Sequence, residues 1–237
     1  MTASRQRQRG VSLLIVIVIV LLTMLMTVWA SKTALLNELI VGNDADYQRA
    51  FEAAQAMLQD AEQDILGQNV DGSACAPSAS DTKICRRAGN VWFIDEEKDF
   101  VGLLATLEAA ANVPCLNGIC AKRTGKQDFW NDKDLFPQMR AAGVAARYGE
   151  YTGAQKGSYS NPILQASADG TGAWYWVEVM PYASSAGALI TNNPRAEQLV
   201  LNLNPPLVYR ITAIAQGLRS GTQVVLQATL ARQKIKD

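Results

Sequence analysis

Residues 11–31, VSLLIVIVIVLLTMLMTVWAS, contain no charged side chain. About 20 apolar residues, in a helix that rises 1.5 Å per residue, span the roughly 30 Å hydrocarbon core of a bilayer. The β-branched run over residues 15–20 would favour a strand in water, but a chain in lipid must satisfy its own backbone hydrogen bonds, which favours a helix. The segment therefore predicts a transmembrane helix over residues 11–31.

Two other interpretations of this segment fit less well. A core helix of a soluble protein would normally carry a polar stripe, which residues 11–31 lack. A secretory signal peptide usually has a shorter apolar stretch that ends in an Ala-x-Ala-like site, whereas Val28-Trp29-Ala30 has a large first residue.

The flanking charges predict the orientation of this helix. Arg5, Arg7 and Arg9 precede it and no acidic residue occurs among the first ten residues. The positive-inside bias keeps such a terminus in the cytoplasm and sends the rest of the chain outward. All four cysteines follow the helix, which agrees with an oxidising compartment on that side.

The helix is predicted to continue to residue 66. No proline occurs before Pro77, and Gly67 follows as a C-terminal cap. Apolar residues recur at steps of three or four and form one stripe: Leu36, Ile40, Tyr47, Phe51, Ala54, Leu58, Ala61 and Ile65. The first half is thus apolar all round, and the second half is amphipathic.

Residues 67–237 predict an α+β globular head. A mostly acidic run, residues 95–99, precedes an apolar helical pattern that begins at Phe100. Residues 112–172 are rich in turn formers and predict long loops with short elements. The strand candidates are residues 90–94, 174–180, 207–216 and 222–231. The last two are alternating runs joined by a turn at 217–221, and Pro205-Pro206 mark where the first of these two begins.

Composition excludes several classes of function. The chain has no histidine, so imidazole cannot act as a general base or bind a metal. Its 22 basic and 22 acidic residues give no basic surplus for a nucleic acid, and we predict no specific nucleic-acid partner. We predict no catalytic, cofactor-binding or metal site.

The four cysteines admit three disulfide pairings. We favour Cys75 with Cys85 and Cys115 with Cys120, which close two short loops. A four-thiolate zinc site needs closely spaced cysteine pairs, whereas nine and four residues intervene here.

The N-terminal third resembles a type IV prepilin: a basic leader ends in Gly10 and runs into an uncharged and then amphipathic helix. Residues 41–62 are similar to the corresponding block of PilX-type minor pilins, and residues 209–232 resemble the closing hairpin of that family. The residues that carry the resemblance in the first block are Gly42, Asn43, Asp46, Ala50, Phe51, Ala53 and Ala54.

The resemblance implies a pilin-like fold, in which the long N-terminal helix packs on an antiparallel sheet. It implies that a prepilin peptidase removes residues 1–10 by cutting after Gly10, and that Val11 is then N-methylated. Residues 11–66 form the helix, and residues 67–237 form a periplasmic head. The three alanines either pack on the subunit's own sheet, which we favour, or admit a neighbouring helix.

The resemblance also implies a role in filament assembly. The fifth mature position, a glutamate in major pilins, is Ile15 here, which favours a subunit present in few copies. The implied location is the inner membrane and then the pilus tip, with other minor pilins, the major pilin and a tip adhesin as partners. The implied role is to prime assembly and so support twitching motility, adhesion or DNA uptake. A type II secretion tip pseudopilin, and a periplasmic enzyme or sensor with an uncleaved anchor, remain alternatives.

Overall fold

The computed structural model describes residues 9–77, 81–86, 91–154, 157, 161–182 and 203–233. The chain divides into two compact units, Met1–Asp46 and Tyr47–Asp237. The predicted leader, apart from its last two residues, lies outside the described part of the chain.

The first element is a single helix, α1, over Arg9–Leu66, which confirms the predicted long helix. It ends where the sequence indicates. Gly67 has φ +62°, its N–H donates to the Asp64 carbonyl at 3.2 Å, and the Gln68 N–H donates to the Gln63 carbonyl at 2.9 Å. This pair of bonds is a Schellman cap, which needs a residue that tolerates the left-handed conformation.

The second unit contains a five-stranded sheet in the order β1-β2-β3-β4-β5. The strands are β1 Cys115–Leu116, β2 Ile119–Ala121, β3 Ala173–Pro181, β4 Leu203–Gln216 and β5 Gln223–Gln233. The predicted strands at 174–180, 207–216 and 222–231 are therefore confirmed. Short helices surround the sheet: α2 Phe100–Glu108, α3 Leu135–Met139 and α4 Pro162–Gln165, with single 3-10 turns at Ile84–Arg86, Glu97–Asp99 and Phe129–Asn131.

The long helix packed on a mostly antiparallel sheet confirms the predicted α+β, pilin-like arrangement, with one parallel strand pair that the sequence did not predict. β2 runs parallel to β3, with Cys120 opposite Glu178, while the other neighbouring strands are antiparallel. A parallel pair needs a long crossover between its strands, and residues 122–172 supply it. Strands of two and three residues show no sequence periodicity, so neither they nor their direction could be predicted.

Two local predictions were wrong. Residues 91–94 belong to no strand; their apolar character instead reflects packing, since the Phe93 ring lies 5.7 Å from the Tyr209 ring. β4 begins at Leu203 rather than at the two prolines. Its register with β5 is interrupted between Leu203 and Val208, where Pro205 and Pro206 do not have to donate ladder hydrogen bonds.

The sheet separates two hydrophobic clusters. On one face, the part of α1 after Tyr47 packs against alternate residues of β3 and β4, among them Tyr175, Val177 and Ile211. On the other face, Phe129, Phe136 and Met139 cover Trp174 and Trp176. Both faces of the sheet are thus buried at its centre, which gives the second unit an α+β core.

Candidate functional site

The apolar half of α1 is the first candidate surface. Its large side chains are exposed along the whole predicted transmembrane segment, from Val11 at 59% to Trp29 at 72%. The Thr23 and Thr27 hydroxyls donate to backbone carbonyls three residues earlier, at 2.9 and 2.8 Å. These bonds satisfy hydroxyl groups that would otherwise be unpaired in lipid. By length and composition, α1 is apolar enough to cross a membrane.

The residues of the predicted cleavage and methylation site lie at the start of this helix. Gly10 and Val11 both have helical backbone, and Ile15, at the position of the major-pilin glutamate, is half exposed. Of the residues that carry the PilX resemblance, Gly42 is partly buried, Asn43 is exposed and Asp46 is buried.

The remaining residues of that motif lie where α1 meets the sheet of the second unit. Ala50, Ala53 and Ala54 have no exposed surface, and Phe51 is partly buried against the same cluster. Small side chains allow a helix backbone to approach a sheet closely. The three alanines therefore pack on the protein's own head, which is the role the sequence favoured.

An ion pair is buried in the same interface. Arg86, only 4% exposed, donates through Nε and Nη2 to the Asp64 carboxylate at 2.8 and 2.5 Å. The Tyr175 hydroxyl donates to the same carboxylate at 2.6 Å, and the Arg86 guanidinium lies 3.8 Å from the centre of the Tyr151 ring. Burial and the Asp64 charge raise the pKa of Tyr175, which keeps its hydroxyl a donor.

A second carboxylate, Asp60, lies one turn earlier on α1. It accepts the Gly149 N–H at 2.8 Å and the Thr152 hydroxyl. Burial raises the pKa of Asp60 to about 6 against the opposing effect of these hydrogen bonds, with a smaller rise from Asp64. Asp60 and Asp64 thus attach α1 to two segments that are distant in sequence.

These polar residues were not predicted from the sequence. Asp60 follows Met57 by three residues and Asp64 follows Ala61 by three, so both lie on the buried stripe of the helix. Their position on the apolar face of the helix was the one feature of the sequence that could have indicated buried, paired carboxylates. Nothing in the sequence pointed to Arg86 as the partner, because it lies 22 residues beyond Asp64.

The structure contains two disulfides. Cys75 is joined to Cys85 with Cα atoms 5.7 Å apart, and Cys115 is joined to Cys120 with Cα atoms 4.0 Å apart. The second disulfide joins directly opposite residues of β1 and β2.

Two tryptophans and a short basic segment, which could suggest a ligand site in the sequence, contact other parts of the head instead. Trp174 and Trp176 are buried, and the Trp176 indole N–H donates to the Met139 carbonyl at 2.8 Å. In the short basic segment after β2, the Arg123 backbone N–H donates to Glu178 at 2.9 Å. The described residues contain no group of three or more acidic or cysteine side chains placed to hold a metal ion.

Comparisons with known proteins identify the family. A family model described as "PilX N-terminal" matches residues 9–59, and one described as "Type IV pilus assembly protein PilX C-term" matches residues 116–232. No curated protein and no solved structure matches the chain significantly. The two matches together cover more than two thirds of the chain and include both the long helix and the sheet, and the chain belongs to the PilX family of type IV pilus assembly proteins.

Proposed function

We propose that this chain is the precursor of a minor pilin that takes part in priming a type IV pilus and lies at or near its tip. The observation that carries the proposal is the continuity of α1. α1 is one helix of 58 residues. Its first half exposes apolar side chains, and its second half buries one face in the head. Such a helix offers a surface that lipid or neighbouring helices would cover.

We propose that residues 1–10 are a leader that a prepilin peptidase removes by cutting between Gly10 and Val11. A glycine before the scissile bond presents no side chain that would block access to the peptide. Cleavage would expose the Val11 amine, which we propose is then N-methylated.

The proposed location follows from the helix. Residues 11–31 would cross the inner membrane with the head, residues 67–237, in the periplasm, until the subunit enters the filament. Burial of apolar helix surface among neighbouring subunits contributes about 25 cal/mol per Å². Other minor pilins and the major pilin are the proposed partners, with a tip adhesin as a further one. The supported activities would be twitching motility, adhesion or DNA uptake.

Ile15 supports a location near the tip. A carboxylate in a helix bundle or in lipid is costly unless it is paired, so an isoleucine at this position removes both that cost and an ionic signal for the register between neighbours. A subunit without the signal suits a filament end better than a repeating position. The proposed role is structural rather than enzymatic, in keeping with a family of pilus assembly proteins.

Leader processing tests the proposal. The full chain is co-expressed with a prepilin peptidase, and its intact mass is measured with and without the enzyme. We expect the loss of residues 1–10 in the wild type, and no loss in Gly10→Val. Gly42→Val, the same change elsewhere in α1, serves as the matched control and should be cut normally. An uncut wild-type chain would contradict the prepilin assignment and favour a permanent anchor.

A further inference from the structure

The segment of residues 81–86, here called the clasp segment, is bound to α1 by an ion pair and is joined by a disulfide to Cys75 in the loop that follows α1. Cys85 is bonded to Cys75, whose N–H donates to the carbonyl of Gly67, the residue directly after α1, at 2.8 Å. The next residue, Arg86, pairs with Asp64 in the last turn of α1. The disulfide and the ion pair thus act on the same end of the helix from adjacent positions of the clasp segment.

The backbone of the clasp segment is held in an unfavourable conformation. Cys85 has φ 61° and Arg86 has φ 51°, and neither is a glycine. Left-handed conformations of such residues persist only where surrounding contacts impose them. Here the disulfide holds Cys85, and the Cys85 N–H donates to the Tyr151 carbonyl at 2.8 Å.

Arg86 depends on this conformation to reach its position. Its guanidinium donates to both Asp64 oxygens and, through Nη1, to the Val91 carbonyl at 3.2 Å. Asp64 is 8% exposed in the intact fold, and relaxation of the clasp segment would remove its countercharge. A buried charge that has lost its partner is strongly destabilising.

The other disulfide lacks this coupling. Cys115 and Cys120 are already paired across β1 and β2, and the Asn117-Gly118 turn between them, with φ 53° and 82°, is a favourable two-residue hairpin. β2 is also hydrogen-bonded to β3. The Cys115–Cys120 bond therefore reinforces a structure that other contacts maintain, and it serves as a natural control.

We propose that the Cys75–Cys85 disulfide is a redox-controlled clasp, whose formation places Arg86 on Asp64 and so fixes the last turns of α1 to the head. In forming, the two thiols lose two protons and two electrons, which a thiol–disulfide oxidant accepts; a dithiol reductant reverses the step. The last turns of α1 are then held more firmly in the oxidised chain than in the reduced one. This inference concerns the fold of the head and is independent of the proposed pilus function.

Hydrogen exchange of the full chain in detergent tests the clasp. Amide exchange over residues 60–66 is followed by mass spectrometry in the wild type and in the double variants Cys75→Ser/Cys85→Ser and Cys115→Ser/Cys120→Ser. We expect exchange at the end of α1 to accelerate by about tenfold or more in the first variant and by less than about threefold in the second. Equal effects of the two variants, or no effect of the first, would overturn the proposal.

A second comparison separates the clasp from a simple cross-link. Arg86→Met removes the charge, and we expect it alone to accelerate exchange over residues 60–66. Because the disulfide acts through Arg86, adding Cys75→Ser/Cys85→Ser should then change exchange by less than about threefold. If the accelerations caused by Arg86→Met and by the cysteine substitutions multiply in the combined variant, the disulfide and the ion pair act independently. That result would refute the clasp. If Arg86→Met does not fold, Arg86→Lys, which keeps the charge but not the two-pronged contact, is used in the same comparison.

Discussion

Burial and hydrogen bonding have opposite effects on the pKa of Asp60. Two hydrogen bonds favour its ionised form, but the effect of burial is larger. Its exposed fraction is 2%, and burial raises its pKa from 3.8 to about 6. The folded chain therefore binds a proton between these two pH values, whereas the unfolded chain has released it. Since stability falls with pH wherever the folded state holds more protons, the Asp60 contribution to stability decreases as pH rises from about 4 to about 6.

We predict that Asp60→Asn removes this pH dependence. Asparagine retains a carbonyl oxygen for the Gly149 N–H and can donate to the Thr152 hydroxyl, so the fold is preserved. A shift from 3.8 to about 6 corresponds to about 3 kcal/mol of unfolding free energy across the window. Urea unfolding of the full chain in detergent, followed by tryptophan fluorescence between pH 4 and pH 7, should show wild-type stability falling by most of that amount, about 2 kcal/mol, relative to the variant.

The control for this measurement is Asp44→Asn, which changes an exposed carboxylate on the same helix. Its stability should follow the wild-type pH dependence. Parallel curves for wild type and Asp60→Asn would show that Asp60 titrates in the folded state as it does in the unfolded state.

At the scale of elements, the outer strand β5 has one edge paired with β4 and, among the described strands, no neighbour on the other. The Gly217 N–H donates to the Thr222 carbonyl at 2.9 Å, and hydrogen-bonded pairs alternate along an antiparallel ladder. Ala228 therefore bonds to Ile211, whereas the Gln227 backbone groups point to the outer edge.

This alternation predicts that proline is tolerated at one of two adjacent positions and destabilising at the other. Gln227→Pro removes an N–H that makes no ladder bond, so its melting temperature should match that of Gln227→Thr, which loses the same side-chain bond to Thr212. Ala228→Pro leaves the buried Ile211 carbonyl unpaired and should cost about 2–3 kcal/mol. Thermal unfolding by circular dichroism compares the three variants. Similar losses at both positions would mean that the Gln227 N–H is paired.

The elements that the sequence predicts are those with a strong period. α1 has a stripe at steps of three and four, and Gly67 marks its end; β3, β4 and β5 consist of alternating or aromatic runs. Residues 91–94 are apolar like a strand but belong to none. Phe93 and Ile94 are apolar because they are buried in the core, not because they pair with a neighbouring strand. The Asp64–Arg86 pair and the parallel β2–β3 contact depend on tertiary proximity, which no local pattern encodes.

At the scale of the whole molecule, the two units differ in how their apolar side chains are covered. In the second unit, α1 and the sheet bury a continuous cluster. In the first, residues such as Leu25, at 68%, and Ile40, at 65%, remain exposed. A monomer in water would not tolerate so large an apolar surface. We therefore expect lipid or other helices to cover the first unit, and we expect its function to depend on keeping that surface uncharged.

A charge in the first unit should thus prevent this protein from supporting pilus assembly without altering the head. In a strain that lacks this protein, we expect fewer surface pili, restored by the wild type and by Ile19→Leu. Ile19→Lys should fail, because a lysine near the centre of a membrane helix costs about 3 kcal/mol and would not pack among apolar neighbours. Val101→Lys, which adds the same charge at a residue of the head that is 73% exposed, should restore pili. Electron microscopy of surface pili and a twitching assay provide the readouts.

Full restoration by Ile19→Lys would show that this part of the helix is not covered by lipid or by other helices when the protein acts. Unchanged piliation in the deletion strain would contradict the proposed role.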